Sequence, residues 1–407
     1  MHTNYIYNII FSICEHRSLA DKMNVKSMDF LLLYFVGGED RDCLIFLITY
    51  LWIEYFLFFM NIAYIIPSLK PAGPINVVYD LVRLMQEHSH HCDVYYFDDL
   101  NVDNYFPCDV YKIGMGDKID FQKYNVIHSH GLRPNIYIFR HKPIKYRNTQ
   151  FISTFHNYVF DDFVMKYGKM KGYVGGMVFI LTALRHDKIV ALSKDAQKYY
   201  SKWFGKKKVS YIYNTRIVDT ESQLTDDEKQ ELLNFKGNGK LIGMNGSILY
   251  RKGIDIALKA LPHLPERFKL FFVGEGGDLE TMKAVVHDLN IQDRVCFAGR
   301  RPDAFRYLPY YDIFAIPSRS EGFPLALLEA AFVGKKVVSS DLPIIKETFT
   351  QDELVMFKNL DEKEFAKAIL KAEQNEVIAN NIRNKFANSY SPEHFYNNHI
   401  DLYTETK

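Results

Sequence analysis

Two carboxylates stand eight positions apart in Glu321-Gly-Phe-Pro-Leu-Ala-Leu-Leu-Glu329. The residues between them are almost wholly apolar, which points to a buried segment and not to a solvated face. Proline suits the first position of a helix, where its fixed φ fits and its missing N–H is not needed. The reading is a loop holding Glu321 that feeds a helix starting at Pro324 and holding Glu329. A helix start presents free N–H groups and partial positive charge, a natural seat for phosphate. Acids beside an anion seat fit a ligand that carries hydroxyls as well as phosphates, as a sugar nucleotide does. Other chemistry-bearing residues cluster at the ends of short apolar runs. His128 and His130 end one, and His156 ends another. Two histidines with no third ligand in reach are a weak metal signal. Val273-Gly274-Glu-Gly276-Gly lies between a strand and a helix; on its own it is a weak nucleotide signal, and a mainly structural turn is the simpler reading.

The elements that must position these groups alternate from Met60 onward, short apolar runs with helical stretches, the signature of α/β sheets. Strands are expected at 61–66, 93–97, 126–128, 151–154, 188–191 and 209–213, with a helix over 75–85. Residues 217–239 read as a polar linker carrying a helix, opened by the capping box Thr225-Asp-Asp-Glu228 and ended by glycines. A second series of strands follows at 241–244, 270–273, 295–298, 313–316 and 336–339. Helices fall at 254–261, 279–289 and 324–333. Ser391 to Tyr403 reads as an amphipathic helix. The expected organisation is an extension at 1–59, one Rossmann-like domain over 60–218, a second over 219–390, and a final helix over 391–407 crossing back to the first. Two such domains face each other across a cleft at the C-terminal ends of their strands, where ligands bind.

At 407 residues the chain has ample length for two such cores. A net charge of +1 gives no electrostatic argument for nucleic acid. The five cysteines are scattered and odd in number, without Cys-x-x-Cys. That disfavours a disulfide framework or zinc site and suits a reducing compartment.

Residues 1–59 differ from the rest. Leu44–Phe59 is apolar apart from Thr49 and Glu54. As a helix it spans about 24 Å at ~1.5 Å per residue, short of the ~30 Å hydrocarbon core. The segment 1–59 holds four Lys and Arg against seven Asp and Glu, with no basic start of a signal peptide. Three readings stay open: a membrane anchor, a buried or interfacial helix, or sequence upstream of a mature protein that starts at Met60.

Taken together, EGFPLALLEA resembles the E-x7-E motif of retaining GT-B glycosyltransferases, especially glycosyltransferase family 4. Asn245-Gly246-Ser-Ile-Leu-Tyr-Arg251-Lys252-Gly253 resembles that family's G-x5-K-G element. The resemblance covers roughly Met60 to Tyr403. It implies that Glu321 contacts the donor sugar near the reacting carbon and that Glu329 holds the ribose hydroxyls. Backbone N–H groups of Gly322, Phe323 and Leu325 would face the sugar or the diphosphate. Lys252 would neutralise the diphosphate as charge develops on the leaving group. The family often carries arginine where this chain has Ser247, which leaves Arg251 as the candidate second phosphate cation. Gly246 and Gly274 would lie near the nucleotide. Pro71-Ala-Gly73-Pro matches the glycine loop after the first strand, with Ala72 in place of one glycine. His156 would lie beside the donor sugar, and His130 would line the acceptor side or merely shape its loop. Ser193 and Asn214 fit cleft-edge or structural positions.

The implied reaction moves a sugar from a nucleoside-diphosphate donor to an acceptor hydroxyl with retention, without metal or other cofactor. The only Asp-x-Asp is Asp40-Arg-Asp42, in the atypical extension. The expected partners are a nucleotide-sugar donor and a saccharide or lipid-linked acceptor in cell-surface polysaccharide or glycolipid synthesis. The expected location is cytoplasmic, with peripheral contact at the inner face of the membrane. The alternatives are an inverting GT-B transferase, a nucleotide-sugar epimerase, and a catalytically silent membrane-attached binding protein.

Overall fold

The chain divides into two compact units, Met1–Phe59 and Met60–Lys407. The computed structural model describes residues 59–98, 105–144, 148–358 and 361–405, so the fold below is that of the second unit. The three readings of 1–59 lie outside the described residues, Phe59 apart. Among the described residues no helix is long and apolar enough to cross a membrane.

Two all-parallel sheets build the unit. The first holds β1 (Asn61–Ser68), β2 (His91–Asp98), β3 (Asp109–Lys112), β4 (Val126–His130), β5 (Gln150–Phe155), β6 (Lys188–Ala191) and β7 (Val209–Tyr211). Their order is β3-β2-β1-β4-β5-β6-β7. The second holds β8 (Lys240–Asn245), β9 (Phe268–Val273), β10 (Val295–Phe297), β11 (Ile313–Ile316), β12 (Val337–Ser340) and β13 (Val355–Phe357), in the order β10-β9-β8-β11-β12-β13. Helices cover both faces of the central strands; β4 and β5 are buried at every residue although they carry His128, Ser129, His130, Gln150, Ser153 and Thr154.

In each sheet the strand order reverses once, between β1 and β4 and between β8 and β11. Such a switch point opens a crevice at the carboxyl ends of the strands. Most segments singled out in the sequence leave from these four strand ends and from the neighbouring β5 and β9; Ser193 and Asn214 follow β6 and β7. The edge strands β3 and β13 have only four and three residues and escaped the pattern reading.

The capping box at Thr225 and Glu228 is formed, with Thr225 Oγ1 accepting from Glu228 N at 3.2 Å and Thr225 N donating to Glu228 Oε2 at 3.0 Å. Pro324 departs from its expected place. It is the N-cap of the Leu325–Val333 helix, with extended φ −73° and ψ 109°, and not its first helical residue. The last helix, Pro392–Thr404, packs on the first sheet: Phe395, Tyr396, Ile400 and Tyr403 share a core with Ile62, Tyr64 and Val94. Tyr396 receives the ring of His90 at 3.0 Å, and Tyr403 OH lies 2.7 Å from His128 Nδ1.

Candidate active site

Glu321 leaves the end of β11 and Lys252 the turn after β8, so the switch point of the second sheet brings them together. Lys252 Nζ donates to Glu321 Oε1 at 2.6 Å, and Ser318 Oγ donates to the same oxygen at 2.6 Å. Arg251 Nη1 lies 3.6 Å from Glu321 Oε2. Glu321 is buried. Burial pushes its carboxyl up, but the Lys252 ammonium and the Arg251 guanidinium outweigh that and hold it below the usual carboxylate range. The site therefore presents a fixed anion gripped by two cations.

This cluster is held by residues that no local pattern announced. Arg319 makes a bidentate pair with Asp255 at 2.7 and 2.8 Å, and its guanidinium lies 3.9 Å from the centre of the Tyr250 ring. Arg319 N also donates to Arg251 O at 2.7 Å. The loop before Glu321 is thus pinned to the turn that carries Lys252. Ser340 Oγ, from β12, donates to Ser318 O at 2.6 Å and fixes the other side.

Behind that turn lie Gly246 and Gly274. Gly274 has φ +151°, and a Cβ there would fall 1.8 Å from Gly246 O. A Cβ at Gly276 would fall 2.1 Å from Ile248 O. These glycines let two backbone segments touch, which shapes the Lys252 turn from beneath. A small cleft of about 50 Å³ opens beside it, lined by Asn245, Gly246, Ser247, Lys252, Glu321 and Leu325. No side chain caps the start of the Leu325–Val333 helix, and its first N–H groups carry the partial positive charge of a helix start. Phe323 places its ring in the core, against Tyr213 and Tyr390. Its contribution to a ligand is limited to its backbone.

The first sheet meets this site through His156. A Cβ on Gly322 would fall 1.7 Å from His156 O, so the loop before the second-domain helix lies directly on the end of β5. His130 Nδ1 and His156 Nε2 are 2.9 Å apart. Burial pushes His156 down to about 4 and His130 in the same direction, so both rings are neutral near pH 7. His130 Nε2 is buried without a hydrogen-bond partner. Among the described residues no group of His, Cys, Asp and Glu stands where it could hold a metal ion. Gly73 opens the Gly73–Glu87 helix, also uncapped by any side chain, and a Cβ there would meet nothing within 4 Å. Ser193 is structural, capping the Lys194–Phe204 helix with its Oγ accepting from Ala196 N at 2.9 Å. Asn214 is buried at the end of the segment after β7, its Oδ1 without a partner.

Glu329 is placed differently from Glu321. Its Oε1 accepts from Arg216 Nε at 2.9 Å, and Arg216 Nη1 donates to Asp80. Asp80 lies on the Gly73–Glu87 helix, so one guanidinium joins helices from both sheets. Burial raises the Glu329 carboxyl, with Arg216 opposing. Burial likewise pushes Asp80 up to about 6 against the pull of Arg216. Neither Asp80 nor Arg216 stood out in the sequence; only their convergence in space marks them. A further clasp comes from Glu347, whose two oxygens accept from Lys194 N and Asp195 N at 2.7 and 2.9 Å. A carboxylate from the second domain thereby caps a helix start of the first.

The model of the family of glycosyl transferases group 1 matches residues 225–389. The O-antigen biosynthesis glycosyltransferase WclY of Escherichia coli is 31% identical over 302 residues, covering 72% of this chain and 83% of the relative. Among solved structures, Anabaena HepE in complex with UDP and glucose superimposes with a TM-score of 0.69 at 16% identity, covering 84% of this chain and 99% of that one. WaaG, a glycosyltransferase involved in lipopolysaccharide biosynthesis, does so with a TM-score of 0.64 at 16% identity, covering 85% and 100%. The two facing Rossmann-like sheets are the GT-B fold. With a relative of this identity matched over most of its own length, the chain belongs to the glycosyl transferases group 1 family and is a glycosyltransferase.

Proposed function

We propose that the protein is a retaining glycosyltransferase that moves a sugar from a nucleoside-diphosphate donor to an acceptor hydroxyl in cell-surface polysaccharide assembly. The observation that carries this reading is the grip of Lys252 and Arg251 on Glu321 beside an uncapped helix start. Two cations and a set of free N–H groups suit a diphosphate. The carboxylate they hold suits the hydroxyls of the attached sugar. The solved complex of Anabaena HepE contains UDP and glucose, and the relative WclY acts in O-antigen biosynthesis; both support the donor class and the setting.

In this proposal Lys252 and Arg251 stabilise the charge that builds on the leaving diphosphate. Glu321 orients the sugar, and the neutral His156 offers a hydrogen bond beside it. A leaving phosphate oxygen accepts the acceptor's proton as the new bond forms on the same face. Charge neutralisation by lysine and arginine makes a divalent metal unnecessary, so transfer is expected to persist in chelator.

The test has two parts. A thermal-shift screen across nucleoside-diphosphate sugars identifies the donor, since a ligand of the native state raises its apparent stability. NMR of the product then reads the anomeric configuration. An inverted product overturns retention, and stabilisation by no nucleotide sugar overturns the donor class.

A further inference from the structure

Asp80 is the one charged residue among the buried positions of the Gly73–Glu87 helix, where Val77, Val78, Leu81 and Leu84 make up the packed face. Packing alone does not ask for a carboxylate there. Asp80 takes the Arg216 guanidinium and also the backbone N–H of Ile217. The Tyr105 hydroxyl, buried without a hydrogen-bond partner, faces the same two charges. Its ring packs on Tyr79 and Phe106, with centroids 5.2 and 5.0 Å away. In such surroundings a hydrogen bond between charged groups is stronger than in water. Breaking a buried triad is costly, yet apolar side chains of similar volume often stabilise as well or better. Orientation is what the charges add.

The group oriented is Glu329. Arg216 Nε engages its Oε1 at 2.9 Å, and among the described residues nothing is hydrogen-bonded to Oε2. The side chain keeps 13% exposure, enough to leave that oxygen open to a ligand. On a helix the side chain leans back toward the N-terminus. The Glu329 carboxylate therefore inclines toward the first turn, whose free N–H groups suit a diphosphate. Glu321 precedes this helix start and Glu329 follows it. A nucleoside-diphosphate sugar has hydroxyls at both ends of its diphosphate, on the sugar and on the ribose. With Glu321 on the sugar, the ribose falls to Glu329.

We propose that Asp80 and Arg216 are positioning residues for nucleotide recognition: through one guanidinium, the first domain aims the open oxygen of Glu329 at the ribose hydroxyls of the donor. Arg216 lies in the segment that leads from β7 to the second domain, so its place depends on how the two sheets settle. Nucleotide affinity then depends on Asp80, a fully covered side chain on a helix of the other domain. The inference rests on the donor reading above.

The test is calorimetric titration of the full-length protein with UDP, ADP and GDP, each beside its 2′-deoxy and 3′-deoxy forms. In the wild type, loss of at least one hydroxyl should weaken binding of the preferred nucleotide roughly tenfold or more, the scale of a hydrogen bond to a charged group. Glu329→Ala should remove that discrimination. Asp80→Leu leaves Arg216 and Glu329 as a neutral pair, so the fold should hold, yet the discrimination should shrink to roughly threefold or less. Asp80→Asn keeps an acceptor for the guanidinium and should restore most of it. Arg216→Lys keeps the charge without the fork and should behave like Asp80→Leu. Each ratio is read within one variant, so a general loss of stability does not move it. Binding of none of the three nucleotides overturns the donor reading itself. A wild type indifferent to both hydroxyls takes the ribose away from Glu329, and this inference with it, while the diphosphate seat stands. Full discrimination in both Asp80→Leu and Arg216→Lys overturns this inference alone.

Discussion

Arg216 stands between two acids from opposite domains, with its Nε 2.9 Å from Glu329 Oε1 and its Nη1 on Asp80. Asp80 is fully buried and Glu329 nearly so. Removing the cation would leave two desolvated carboxylates facing each other, so Arg216→Ala is expected to cost about 3–5 kcal/mol of stability. Arg216→Lys keeps the charge but cannot fork between two carboxylates, and should recover only part of that. Urea titration of both variants checks this. Wild-type stability in Arg216→Ala would show that the triad carries no structural load.

Glu321 and Lys252 share a 2.6 Å contact, so their losses should not add. Glu321→Gln and Lys252→Met are each expected to lower kcat by roughly 10²–10³. The double variant should fall little below the weaker single one, because either change already dismantles the pair. Steady-state kinetics of the three variants gives the coupling. Near-wild-type turnover in both single variants would remove this pair from the chemistry.

Gly322 faces the carbonyl of His156 so closely that a methyl group has no room. Gly322→Ala must push the loop off the end of β5, with a cost of about 1–3 kcal/mol. The same shift should carry Glu321 away from the first domain, lowering kcat more than it raises KM. A variant with unchanged kcat would mean that this approach does not position the site.

Burial pushes six histidines well down: His90, His156 and His399 to about 4, His186 to about 3, and His128 and His130 in the same direction. In the unfolded chain they titrate near 6.5. Between those values the unfolded state binds protons that the fold rejects, so stability falls as pH falls below about 6.5. Asp80 works in the opposite sense. Its folded value of about 6 means that the fold holds a proton the unfolded chain has lost. Near pH 5 unfolding should therefore take up several protons net, because six histidines outweigh Asp80. Stability measured by denaturant between pH 7 and pH 5 should drop steeply, and a flat profile would contradict this account.

Local pattern carried the element types far. Apolar runs gave the central strands, and Thr225 with Glu228 gave a helix start that formed as read. Length alone did not hide β3 and β13, since β7 and β10 are as short and were read; β3 (Asp-Val-Tyr-Lys) is half charged and largely exposed, which leaves no apolar run to mark it. The Pro324 reading placed proline one residue too far into its helix, because φ near −65° suits an N-cap as well as a first turn. Glu321, Lys252, Gly322 and His156 were visible individually, and the fold brings them to one place. Their supports were not visible. Arg319 meets Asp255 across 64 positions and Arg216 meets Asp80 across 136. Such pairs depend on how loops and sheets settle against each other, which no window of sequence encodes. The helix 169–183 was passed over for a related reason. Apolar residues on all its sides leave no polar face to mark the period.

The last helix gives the chain an inverted order of assembly. Residues 395–403 complete the core around β1, yet a ribosome makes them only after the strands of both sheets. The apolar face formed by Ile62, Tyr64 and Val94 must wait uncovered while the second sheet is synthesised and folds. A chain cut short before Pro392 would thus lose its first domain, and not merely its tail.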